Sequence, residues 1–257
     1  SVGKIRQDYR ITLKKTTYPV EGTLTIKEID ESGGTGNKKV FNITSVPVYD
    51  NTIYKPVLVG GKYWAPVNVG SISTTYSADV DGCGSIFQWG RNVPLTYGSD
   101  DKQAGPVSAA DAYGIYATMF ITSESDWLDV PKDDLWSGDN AQGPCPNGWR
   151  VPTKTELDIL QVKYQGDNFD VDNDNRLRIP HDPEQTGDDL YLPAAGHRYG
   201  ADASPWSNRG SSGRYWSSTT SESDAPKVYR FYFGSGSSNT TTTSPRADGY
   251  SVRCIQK

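Results

Sequence analysis

Cys145-Pro-Asn-Gly-Trp-Arg-Val-Pro-Thr-Lys-Thr-Glu-Leu157 ends on the clearest helix start in the chain. Thr153 stands three residues before Glu156, the spacing at which hydroxyl and carboxylate each cap the other's backbone N–H. Pro152 sits where Leu157 can close over the cap. Leu157, Leu160 and Tyr164 then share one face, and Gly166 supplies the stop. Outward from this point helical signals are few. Between Ser108 and Phe120, Ala109, Ala110 and Ala112 favour a helix that Gly114 interrupts. Elsewhere short aromatic stretches separated by long turns, such as Gly61–Gly70 and Ile86–Arg91, predict strands.

The segment after Pro193 is crowded with Ser, Thr and Gly, a texture that disorder would also produce. Tyr215-Trp216 and Val228-Tyr-Arg-Phe-Tyr-Phe233 argue instead for strands, because such rings are costly to leave in water. Alternation puts Tyr229, Phe231 and Phe233 on an expected core face and Val228, Arg230 and Tyr232 on an expected display face. On that reading Arg230→Ala and Tyr232→Ala leave stability nearly unchanged. At the other end, Asp8–Lys14, Gly22–Ile29 and Val40–Val48 alternate as strands, with Gly33-Gly-Thr-Gly-Asn37 as the break. Two or three strands are marginal alone, so they either pack on the next domain or complete a sandwich with other strands.

The chain has 257 residues, so one large or two unequal domains are expected, divided here into 1–52 and 53–257. Its 26 Lys+Arg against 31 Asp+Glu argue against a nucleic-acid or anionic-membrane binder. No run is long and apolar enough to span a membrane. Seven Trp, 16 Tyr and 6 Phe supply the large burial units of a folded protein. Three cysteines, Cys83, Cys145 and Cys254, fit one bridge plus a free thiol, or three free thiols in a reducing compartment.

Catalytic and metal signatures are weak. Asp170, Asp172 and Asp174 alternate like half of a calcium loop, but Asn175 and His181 occupy the positions that require Gly and Glu. A solvated acidic turn is the default for them. No nucleophile elbow accompanies His181 or His197, and no carboxylate pair is singled out for glycoside hydrolysis. No enzyme activity and no cofactor are expected.

Six motifs occur in order: Trp64-Ala-Pro-Val-Asn-Val-Gly70, Phe87-Gln-Trp-Gly-Arg91, Cys145–Leu157, Leu192-Pro-Ala-Ala-Gly196, Tyr215-Trp-Ser-Ser-Thr219 and Gly249-Tyr-Ser-Val-Arg-Cys254. This order resembles the Fibrobacter succinogenes major paralogous domain of Bacteroidetes surface and pilus-tip proteins, over about four-fifths of the chain. The resemblance implies an α+β, C-type lectin-like fold whose last strand is stapled by a Cys145–Cys254 disulfide. Residues 1–52 would then be a small β segment, which could belong to a fimbrillin- or Ig-like sandwich. Residues 196–254 further resemble the variable region of proteins diversified by retroelements. That likeness makes Tyr199, Asp202, Trp206, Arg214, Glu222, Asp224, Arg230, Tyr232, Asn239, Thr241 and Asp248 the expected ligand-binding positions on a fixed scaffold of Gly, Trp and core aromatics. His197 stands where an aromatic is expected, and Pro226-Lys227 resembles an insertion.

The function expected is that of a surface-displayed, pilus-tip-like adhesin binding a protein or glycan on another surface, outside the bacterial cell. Tyr and Trp give contact area at low entropic cost, and Arg gives planar multidentate recognition. The rivals are a structural pilus subunit that contacts other subunits, a phage receptor-binding protein and a glycan-active enzyme.

Overall fold

The computed structural model describes residues 20–29, 35–45, 55–95, 101–163, 169–170, 175–201, 206–234 and 236–257. Strands β1 (Val20–Ile29) and β2 (Thr35–Ser45) form an antiparallel hairpin with Leu24 opposite Phe41. The second strand begins at Thr35, inside the expected glycine break, and the expected strand at Asp8–Lys14 lies outside the described residues. There follow β3 (Val57–Val59), β4 (Lys62–Trp64), α1 (Val80–Cys83), β5 (Ile86–Gln88), β6 (Lys102–Ala104), α2 (Ala109–Tyr113) and β7 (Phe120–Thr122). After them come β8 (Trp149–Arg150), α3 (Lys154–Lys163), β9 (Phe169–Asp170), β10 (Arg176–Ile179) and β11 (Leu190–Pro193). The last elements are β12 (Ser212–Thr220), β13 (Lys227–Gly234), β14 (Ser237–Asn239), β15 (Thr243–Pro245), β16 (Gly249–Ser251) and β17 (Ile255–Gln256). The architecture is α+β and dominated by strands.

The capping box forms at the head of α3. Thr153 N–H donates to Glu156 at 2.9 Å, and Glu156 N–H donates to the Thr153 hydroxyl at 3.3 Å. Arg150 grips the same carboxylate with two hydrogen bonds, at 2.7 and 2.5 Å. Burial opposes ionisation of Glu156, but these donors outweigh it and hold the carboxyl below its usual range. Leu157 and Leu160 are buried as their spacing predicts, whereas Tyr164 and Gly166 lie outside the described residues. The ambiguous alanine stretch is a single helical turn, α2, which Gly114 caps.

The largest sheet runs β14-β13-β12-β16-β5, with β15 also paired to β13. Both of its faces are covered. Tyr215, Phe231 and Phe233 join Leu157, Leu160 and Ile255 in one cluster, while Trp216, Val228 and Tyr250 join Trp89, Trp136 and Val252 in another. A second sheet, β3-β4-β17-β8, sets the last strand between two early ones, with Ile255 opposite both Trp64 and Arg150. Beside it Cys145 and Cys254 form the disulfide, and Cys83 is buried outside that bond, its thiol donating to the Ser77 carbonyl at 3.1 Å. Among the described residues no helix is long and apolar enough to cross a membrane.

The division of β13 into core and display faces needs correction. Phe231 and Phe233 are buried as expected, but Tyr229 is half-buried, with the Lys154 ammonium 5.7 Å from its ring centroid. Val228 is fully buried in the opposite cluster, and Arg230 is only 9% exposed. A sheet sandwiched between two cores leaves neither face free along the whole strand.

Candidate functional site

Register assembles the site. Arg214 lies opposite Tyr232 and Trp216 opposite Arg230, so these four side chains share one face of the β12–β13 pair. Tyr250, from β16, lies over Trp216 with ring centroids 4.2 Å apart and the planes tilted by 32°. Tyr199 arrives on a segment that bridges to Gly213, Ser207 and Gly249 through Gly196, His197 and Arg198. Two glycines permit this crossing. A Cβ on Gly196, which has a φ of +70°, would meet the Ser207 carbonyl oxygen at 2.4 Å, and one on Gly213 would meet the Phe233 ring at 2.3 Å.

The Arg214 guanidinium is ringed by Tyr199, Tyr232 and Tyr250, with its carbon 5.1, 5.9 and 5.6 Å from their centroids. It donates to the Tyr199 hydroxyl at 3.0 Å and to the Tyr250 hydroxyl at 3.4 Å. Arg230 donates from Nε to Ser244 Oγ at 2.9 Å and lies 5.3 Å from the Tyr232 ring centroid. Its Nη1 has no partner among the described residues. Asp248 is buried, accepting from the Tyr250 hydroxyl at 2.6 Å and from Gly200 N–H at 2.7 Å. Burial raises its carboxyl above the usual range. Tyr199, Arg214, Arg230, Asp248 and Tyr250 line an open cavity of about 390 Å³ completed by Glu124, Ala201, Ser244 and Pro245.

Of the expected binding residues, this cavity brings together Tyr199, Arg214, Arg230 and Asp248, with Tyr232 touching both guanidiniums. Asn239 pairs across from Tyr232 on β14. The others lie apart. Trp206 is half-buried against Ile86, Leu95 and Phe120, with the Arg209 guanidinium 4.9 Å from its ring centroid. Asp224 is exposed, pairs with Lys227 at 3.0 Å and accepts from the Thr243 hydroxyl at 3.1 Å. Glu222 and Thr241 are exposed, and Asp202 lies outside the described residues. So do Asp172 and Asp174; Asp170 falls in β9, and among the described residues no group of His, Cys, Asp and Glu could hold a metal ion.

Sequence reasoning missed Glu124, which belongs to the loop after β7. That loop is tied to the site by Ser123 N–H donating to the Gly200 carbonyl at 2.9 Å. No local motif announces such a long-range bond. Tyr250 is not among the expected binding residues, yet it is both floor and hydroxyl donor.

His197 occupies the expected aromatic position and packs edge-on against Tyr199, with centroids 4.3 Å apart. It is fully buried, and neither ring nitrogen finds a partner among the described residues. Burial, followed by the nearby Arg214 and Arg230, pushes its pKa down to about 3, so the ring is neutral at pH 7. His197→Phe keeps the ring shape and removes two unsatisfied nitrogens. The substitution is expected to stabilise the fold by about 1–2 kcal/mol, read as a higher urea midpoint.

Residues 181–255 match a family described as a domain of unknown function (DUF8237). No curated protein matches the chain. No solved structure matches it. The matched stretch spans β11 through β16 and carries every lining residue of the cavity except Glu124.

Proposed function

We propose that this chain is a ligand-binding module of a bacterial surface adhesin, pilus-tip-like, built on a C-type lectin-like domain with a retroelement-diversified C-terminal region. One observation carries the reading. Tyr199, Arg214, Arg230 and Asp248 come from separate segments of residues 196–254 and converge on one open cavity above a buried aromatic floor. A tyrosine- and arginine-rich cavity on a rigid sheet is the arrangement that recognition favours. The meeting of β17 with β4 and β8, beside the Cys145–Cys254 bond, supports the lectin-like fold, and the disulfide supports an extracellular setting.

Tyr199→Ala and Arg214→Gln test it. Tyr199 is 39% exposed and Arg214 is half-buried, so both variants are expected to fold, with losses near 1 kcal/mol. Each is expected to cut attachment of chain-coated beads to epithelial or bacterial cells by about tenfold or more. Unchanged attachment by both variants would overturn the assignment of this surface. Diversification has its own test: a near-copy of the coding stretch for residues 196–254, differing at adenines and beside a reverse transcriptase gene. Its absence would remove that part of the proposal.

A further inference from the structure

The cavity sets two guanidiniums close together, and neither Asp248 nor Glu124 in its lining forms an ion pair with them. Arg214 and Arg230 stand at diagonal positions on one sheet face, and both approach the Tyr232 ring. Neighbouring like charges that are partly withdrawn from water repel unless an anion is shared between them. Among the described residues no carboxylate lies within ion-pair distance of either guanidinium. Arg230, nine-tenths buried, has an Nη1 with no acceptor among those residues. Asp248, on the cavity wall, already accepts at both oxygens, from Tyr250 and Gly200.

The remaining lining narrows the source of the anion. Glu124 is exposed in the wall, and Ser244 offers a hydroxyl. An Asp or Glu side chain of a partner protein carries only acceptors when ionised, and so brings no donor for the Glu124 carboxylate. An acidic sugar carries a carboxylate for the guanidiniums, a hydroxyl donor for Glu124 and a hydroxyl oxygen to accept from Ser244, whose Oγ already accepts from Arg230 and Tyr250. It also has an apolar ring face for Tyr199. The volume of about 390 Å³ suits one such ring, near the lower end of small-ligand sites.

We infer that the cavity binds a uronic-acid unit of an acidic glycan, its carboxylate between Arg214 and Arg230 and its hydroxyls on Glu124 and Ser244. This inference rests on the ligand-binding reading of the same surface.

Titration of the full chain with methyl β-glucuronide, methyl β-glucoside and a short acidic peptide, followed by NMR, tests it. The glucuronide is expected to bind saturably, and the glucoside and the peptide about tenfold more weakly or not at all. Arg230→Gln and Arg214→Gln should each cost the glucuronide about tenfold, and Glu124→Gln, an exposed substitution, severalfold. Arg214→Lys keeps the charge but not the fork, and serves if a glutamine variant fails to fold; an intermediate loss is expected. Equal affinity for the two glycosides, binding insensitive to the arginine variants, or tighter binding of the peptide would overturn the assignment. If Tyr199→Ala abolishes cell attachment while the glucuronide neither binds nor competes, the sugar falls and the adhesin reading stands. If attachment is insensitive to Tyr199→Ala and Arg214→Gln and no titration responds, both fall.

Discussion

Reduction of the Cys145–Cys254 bond is expected to destabilise the fold by up to about 5 kcal/mol, a fall in melting temperature of about 10–20 °C. The two cysteines are 109 residues apart, so the bond removes a long loop's freedom from the unfolded chain. The native state depends on it for a local reason as well. Cys254 immediately precedes β17, a strand of two residues held by Ile255 against Trp64 and Arg150 and by Gln256 against Trp149. So short a strand contributes little hydrogen bonding of its own, yet Ile255 is fully buried in the cluster with Leu157 and Phe231. Freeing Cys254 therefore loosens a core side chain together with the chain end. Urea midpoints with and without dithiothreitol measure the effect. Cys145→Ala/Cys254→Ala should match the reduced protein and should not respond to reductant. Coincident midpoints in both conditions would show that packing alone holds β17.

That bond followed from family resemblance, since spacing alone left the pairing open. Other features were legible from local chemistry. The head of α3 follows from Thr153 and Glu156 because a capping box is satisfied within four residues. The faces of β13 were legible only by halves. Alternation groups Val228, Arg230 and Tyr232 together, as the register shows, but it carries no information on which group is covered. Here both groups are covered over part of their length. Val228 meets the Trp216–Tyr250 cluster, Phe231 and Phe233 meet α3's cluster, and Tyr229 emerges near Lys154. The register shift between Trp216 and Thr220 adds to this. The site divides in the same way. Tyr199, Arg214 and Arg230 were nameable from residue type within the region that the resemblance marks as variable. Glu124 enters through one loop bond to Gly200, a tertiary event without a sequence signature.

The burial of Arg230 also revises what its substitution reports. An exposed display residue can be truncated at little cost, but Arg230 donates to Ser244 from a nearly closed setting. Losing it leaves Ser244 without that donor and opens space beside Tyr232. Binding loss in Arg230→Ala is thus read together with its melting curve, whereas Tyr199 separates the two effects cleanly.

Trp216→Ala is expected to cost about 3–5 kcal/mol and to dismantle the cavity floor. The indole is fully buried, donates from Nε1 to the Phe87 carbonyl at 2.8 Å and lies beneath Tyr250. It thereby links β12 to β5 across β16, the strand between them. Tyr250 in turn places the hydroxyl that meets Asp248 at 2.6 Å, Ser244 at 3.0 Å and Arg214 at 3.4 Å. Removing the platform should let Tyr250 drop and release all three contacts, so ligand affinity falls with stability. Trp216→Phe separates the two causes. It retains a ring under Tyr250 but loses the donor to Phe87, and is expected to cost about 1–3 kcal/mol. Urea denaturation reads the stability, and near-ultraviolet circular dichroism reads the tyrosine environment. A Phe variant as unstable as the Ala variant would assign the role to the hydrogen bond. A stable Phe variant that keeps the tyrosine signal would assign it to the ring contact.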